Sequence, residues 1–154
     1  MKKSILVIED DESKRAQICS VITQTFESIE MFSAKSYQSG LKELIRRSFD
    51  LVVLDMTMPT FDRSQSEPGG RVRPFAGRDI LEQVDRRRIR CRAVVVTGFE
   101  ILGEGESEKT LSALSTELAA RFPQIYCGSI HYNPAVNEWE SELIQTIQKE
   151  FRSE

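Results

Sequence analysis

Hydrophobic positions along the chain fall into short continuous runs, separated by stretches with a helical period. SILVI (4–8), EMFSA (30–34), LVVLD (51–55), AVVVT (93–97) and IYCGSIHY (125–132) are the runs. SILVI, LVVLD and AVVVT are apolar at successive positions, as a strand buried between two layers requires. Between the runs, one face of a helix is traced by Ile18, Val21, Ile22 and Phe26, then by Tyr37, Leu41, Leu44 and Ile45. Ile80, Leu81 and Val84 trace a third helix. Leu111, Leu114, Leu118 and Phe122 trace a fourth, and Trp139, Leu143, Ile144, Ile147 and Phe151 a last one near 137–151. Ser13 and Ser36 suit the starts of the first two, and Asn137 with Glu140 resembles a capping box at the last. Strand and helix in alternation predict right-handed crossovers and a parallel sheet.

Two stretches break the pattern. Residues 60–77, TFDRSQSEPGGRVRPFAG, are long for a βα loop of about 2–6 residues, and too rich in Pro and Gly to add a regular element. Residues 98–107 form a second extended loop. Its GEGESE is no phosphate cradle, because Glu100, Glu104, Glu106 and Glu108 would repel the anion. With no repeat and no linker, 1–154 is read as one domain with no output domain.

Composition narrows the classes. The 154 residues carry a net charge of −3, without the basic excess that nucleic acid would demand. The cluster RRRIRCR (86–92) reads as a solvated helix end. Apolar runs are too short to span a membrane, and MKKSILVIEDD is not a signal peptide. Cys19, Cys91 and Cys127 lack metal-ligand spacing and read as reduced thiols of a cytoplasmic protein. A single His leaves little room for hydrolase chemistry.

Three runs end in polar residues that a parallel sheet brings to one edge: Glu9 and Asp10, Asp55, and Thr97. Asp55 is open to several readings: a nucleophile, a metal ligand, a helix cap, or merely the polar end of a strand. Crowded carboxylates need a cation, and hard oxygen donors without His or Cys point to Mg²⁺. So shielded, Asp55 could attack a phosphoryl group and form an acyl phosphate. Thr97 could donate to a phosphoryl oxygen.

ILVIEDDE (5–12), LVVLDMTMP (51–59) and VVVTG (94–98), in this order and at these separations, resemble the receiver domain of bacterial two-component response regulators. The resemblance covers nearly the whole chain. It implies an α/β single-domain (βα)5 fold, a doubly wound parallel sheet of flavodoxin-like topology with strand order 2-1-3-4-5. It further implies Asp55 as phospho-acceptor, Glu9 and Asp10 as the acid pair, and Mg²⁺ on Asp10, Asp55 and the Thr57 main-chain carbonyl. Thr97 would be the switch hydroxyl. A histidine kinase or other phosphodonor would load the site, and a downstream partner protein would read it.

The chain departs from the family in three places. The family Lys at the end of the fifth strand is replaced by Asn133, before Pro134. The aromatic switch position is Ile130, with Tyr132 close by. The Gly that closes the acceptor loop, here Gly77, lies far beyond Pro59. Arg63, Arg71, Arg73 and Arg78 in and after this insertion either stay solvated or fold over the edge to supply a cation. The loop is expected to form a lid or partner surface with Arg71 and Arg73 near the acids.

These features admit three function classes. The first is a phosphorylatable signalling receiver, no enzyme beyond self-phosphorylation and slow autodephosphorylation. The second is a degenerate receiver scaffold that binds a partner through its enlarged loops, as in bacterial defence or signalling clusters. The third, a phosphatase or phosphotransferase with an Asp nucleophile, lacks the second acid, because position 57 is Thr.

Overall fold

The computed structural model describes residues 2–64 and 67–152. In chain order the elements are β1 (Lys3–Ile8), α1 (Glu12–Thr25), β2 (Ile29–Ala34), α2 (Tyr37–Arg46) and β3 (Leu51–Leu54). Two short strands come next, β4 (Met58–Pro59) and β5 (Val72–Arg73), then α3 (Ala76–Arg86) and β6 (Arg92–Thr97). The chain ends with β7 (Ile101–Leu102), β8 (Lys109–Thr110), α4 (Leu111–Arg121), β9 (Tyr126–His131) and α5 (Glu138–Arg152).

The main sheet has five strands in the order β2-β1-β3-β6-β9, every pair parallel. Counting only these long strands, this is the 2-1-3-4-5 order expected from the sequence. Alternation of side chains divides the core into two layers. Leu6, Ile8, Val52, Leu54 and Val95 pack against α2, α3 and α4 through Leu41, Leu44, Ile80, Leu81, Leu114 and Leu118. Ile5, Val7, Val53, Val94 and Val96 face α1 and α5 through Ile18, Ile22, Trp139, Leu143 and Ile147. Both faces of β1 are covered, and Ile5 to Ile8 are fully buried. That is why these strands read as unbroken apolar runs.

Pairing of β6 with β9 shifts register between Ala93 and Val95, where β9 carries one extra residue. Gly128 sits there at φ +135, a region costly for any side chain. The bulge turns Ile130 into the core and sets His131 opposite Thr97.

The structure corrects two local expectations. Helix α1 is capped by Asp11, whose Oδ1 accepts from Lys14 N at 2.9 Å, not by Ser13. Residues 60–77 do add regular structure. β4 and β5 pair antiparallel, and the ladder continues through Thr60 N to Arg71 O at 3.0 Å and Phe61 N to Gly69 O at 2.9 Å. The glycines serve this ladder rather than preventing it: Gly69 and Gly70, on its returning arm, lie at φ +93 and +70. Pro59 sits on a short edge strand, where its missing donor costs little. The second long loop behaves alike, with β7 and β8 paired around a 3₁₀ turn, Gly105–Ser107, and Leu102 buried. Among the described residues no helix is long and apolar enough to cross a membrane.

Candidate functional site

Register alone aligns the acids. Ile8 pairs with Leu54 and Leu54 with Val95, so the chain leaves β1 and β3 at one level, and β6 runs two residues further to Thr97. The loops are pinned there: Glu9 N donates to Ala34 O at 2.9 Å, and Asp55 N to Ile8 O at 3.2 Å. Carboxylate oxygens of Glu9, Asp10 and Asp55 consequently lie within 4.8 Å of one another. Glu9 and Asp55 are buried, Asp10 is half-buried, and all three line an open cleft of about 450 Å³ shared with Thr57 and Tyr132.

The cation at this cluster comes from a residue that the sequence pattern does not single out. Lys14 is buried, its Nζ 2.7 Å from Glu9 Oε1 and 3.0 Å from Asp55 Oδ2, and it donates to Val96 O at 2.7 Å. It belongs to the first turn of α1, where side chains lean back toward the strand edge. A signal was present. A lysine in a helix's first turn opposes the positive end of the macrodipole, so it needs another source of stabilisation. Tyr132 covers the ammonium with its ring, 5.4 Å from the centroid, and donates from its hydroxyl to Gln17 Oε1 at 2.6 Å.

Asp55 Oδ1 accepts from Met56 N at 2.6 Å. Glu9 Oε2 accepts from Asp11 N at 3.0 Å. Burial pushes the Glu9 carboxyl up to about 7, against the pull of Lys14 and with a further push from Asp55. Thr97 is fully buried, and its hydroxyl accepts from Phe99 N at 3.3 Å. Thr57 lines the cleft, with its hydroxyl donating to Pro74 O at 2.9 Å. Asn133 lies just past β9 and turns away: its Oδ1 accepts from Ala135 N at 3.0 Å.

Of the insertion's arginines, it is Arg63 that reaches the acids, with Nη1 3.5 Å from Asp10 Oδ2. Both groups keep contact with solvent, so the pair contributes little. Arg71 and Arg73 are engaged elsewhere. Arg73 pairs with Asp79 at 3.4 Å and lies 4.0 Å over the Tyr37 ring. Arg71 is exposed and lines a separate groove with Val72, Phe99 and Ile101. The hairpin's own ladder, not the acids, sets where these two side chains project.

Gly77 is the close packing partner of the acceptor strand. A Cβ there would lie 2.6 Å from Asp55 O and 3.1 Å from Met56 Cα, and Gly77 N donates to Met56 O at 2.9 Å. Neither main-chain neighbour can rotate aside. Gly77→Ala should therefore cost about 1–3 kcal/mol, the usual range for overpacking. Denaturant unfolding checks this; an unchanged midpoint would mean that the contact is slack.

The donor set suits a hard divalent cation. All three acids offer oxygen, and their charge exceeds that of Lys14 alone. Glu9 Oε1 is buried and has no properly directed hydrogen bond among the described residues, so it is held by charge only.

Fold and strand-end chemistry define the class: the chain is a receiver domain of the response-regulator type. It superposes on a CheY-like receiver domain protein from Methanospirillum hungatei JF-1 with a TM-score of 0.64 at 18% identity, covering 99% of this chain and 96% of that one. The response regulator TrrA from Thermotoga maritima, solved in complex with Mg²⁺–BeF, superposes with a TM-score of 0.61 at 16% identity over 94% of this chain and 98% of that one. No family model matches. In sequence, the Detocs response regulatory protein DtcB of Enterobacter cloacae is 30% identical over 145 residues, 93% of this chain and 97% of that protein. The uncharacterized protein y4jR of Sinorhizobium fredii is 29% identical over 140 residues, 90% of this chain and 92% of that protein. The chain belongs to the family of response regulatory proteins that includes DtcB.

Proposed function

We propose that this receiver works as a phospho-acceptor, with Asp55 as the residue modified. The observation that carries the proposal is the setting of Asp55: buried at the end of β3, open to a cleft, and held between a main-chain N–H and an ammonium. A carboxylate so oriented presents a fixed nucleophile to a phosphoryl donor. One of its oxygens attacks phosphorus, the bond to the leaving group breaks with its electron pair, and an acyl phosphate remains on Asp55. Asp10, Asp55 and the Thr57 main-chain carbonyl are the groups that would hold Mg²⁺, which when bound shields the incoming negative charge. Thr97, behind Asp55 on the neighbouring strand, would donate to a phosphoryl oxygen and lose its bond with Phe99 N. The chemistry ends there: the group is taken on and slowly lost. The donor is a histidine kinase or small acyl phosphate, and the signal leaves by protein contact.

Exposed apolar side chains favour the hairpins as that contact. Phe61, Val72, Phe99 and Ile101 are each about half exposed, and all lie on or beside β4–β5 and β7–β8. They support a second reading, in which this surface holds its partner whatever the state of Asp55.

Beryllofluoride, a phosphoryl mimic, tests the first reading. Bound ¹⁹F resonances are expected with Mg²⁺ present, and none with Mg²⁺ omitted or in Asp55→Asn. Spectra without bound resonances under every condition would leave only the second reading.

A further inference from the structure

Lys14 is the buried ammonium of this site, and it reaches the acids from an unexpected element. We propose that Lys14, projecting from α1, is the group that neutralises the phosphoryl oxygens on Asp55, the charge that position 133 lacks. The inference rests on the phospho-acceptor reading and adds the residue that stabilises the transferred group.

Geometry carries the argument. Nζ lies 3.0 Å from Asp55 Oδ2, and so touches the reacting carboxylate itself. Its position is fixed from the other sides by Glu9 Oε1 at 2.7 Å, Val96 O at 2.7 Å and the Tyr132 ring. Val96 precedes Thr97 on β6, so the anchor of the ammonium and the proposed phosphoryl donor hydroxyl are adjacent residues of one strand. Asn133 carries no charge, and its Oδ1 accepts from Ala135 N. Arg63 is half exposed and 3.5 Å from Asp10, on the outer side of the cluster.

The reaction adds negative charge beside Nζ. With acetyl phosphate as donor, an Asp55 oxygen bonds to phosphorus, the phosphorus–oxygen bond to acetate breaks, and acetate leaves with the electron pair. Asp55 exchanges one negative charge for the two of a bound phosphoryl group. An ammonium already in place and already desolvated meets that charge without reorganising, which is the condition for strong electrostatic stabilisation. Its bond to Val96 O can persist, while the contact to Asp55 Oδ2 passes to a phosphoryl oxygen.

The test uses the whole chain with acetyl phosphate and Mg²⁺, monitored by intact mass. Wild type, Lys14→Met, and Lys14→Met combined with Asn133→Lys are compared, each first checked for folding by circular dichroism. Lys14→Met is expected to slow modification by about 10²-fold, the usual loss for one such stabilising group. The added lysine at 133 should restore at least about tenfold of it, which a merely structural role of Lys14 would not predict. Modification of Lys14→Met at the wild-type rate overturns the assignment of Lys14 alone. Failure of wild type to be modified overturns the phospho-acceptor reading beneath it. Should Lys14→Met not fold, wild type labelled with ¹³Cε-lysine decides. A beryllofluoride-induced shift confined to one buried lysine supports the proposal, and no lysine shift despite bound beryllofluoride overturns it.

Discussion

Lys14→Met is expected to lower the stability of the metal-free protein by about 3–5 kcal/mol, the usual loss when one partner of a buried ion pair is removed. For a chain of this size that is a fall of roughly 6–20 °C in Tm, at about 2–4 °C per kcal/mol. The reason is the imbalance left behind. Glu9 and Asp55 are buried side by side, and Lys14 is the buried cation between them. Asp55→Asn should behave differently. It leaves Glu9 and Lys14 paired one to one, so stability should change by no more than about 1 kcal/mol. The Lys14→Met penalty should also depend on pH. Glu9 already has its carboxyl raised from 4.5 to about 7, so in the folded protein it holds a proton that the unfolded chain has released. Such a group costs stability as pH rises between those values, and the cost vanishes below about 4.5. Removing Lys14 removes a lowering influence and extends the costly window upward. Thermal melts in EDTA should therefore show a larger gap between wild type and Lys14→Met at pH 8 than at pH 5. A gap equal at both pH values would show that Lys14 acts through packing, not charge.

The sheet was legible because burial on both faces leaves no choice but apolar residues. SILVI, LVVLD and AVVVT have that form, and their last residues mark one edge whatever the helices do. Glu9, Asp10 and Asp55 meet for the same reason: the register of parallel strands makes strand ends neighbours. Lys14 was hidden because it lies in a helix, where a lysine ordinarily faces water. Only its length and its first-turn position bring Nζ back over the edge. The hairpins were hidden for another reason. Strands of two residues, Met58–Pro59 and Ile101–Leu102, are too short to show any periodicity. Glycines that suggested irregularity in 60–77 sit in the returning arm of a ladder. The expected reach of Arg73 failed for a local cause, since Tyr37 and Asp79 were nearer partners.

The other large effect concerns the reacting residue. Asp55→Asn should abolish covalent modification, because an amide oxygen lacks the charge and nucleophilicity of a carboxylate and no other acid in the cleft has its setting. Glu9 is the more deeply buried acid, and its raised carboxyl is the poorer nucleophile where it keeps its proton. Asp10 faces Arg63, and Asp11 is engaged in capping α1 through Lys14 N. The most direct measurement is to treat the protein with acetyl phosphate and Mg²⁺, reduce the acyl phosphate with borohydride, digest, and locate the resulting homoserine by mass spectrometry. The account predicts homoserine at position 55 and none in an untreated sample. Homoserine at position 10, or at no position while the intact protein still gains a phosphoryl group, would contradict it.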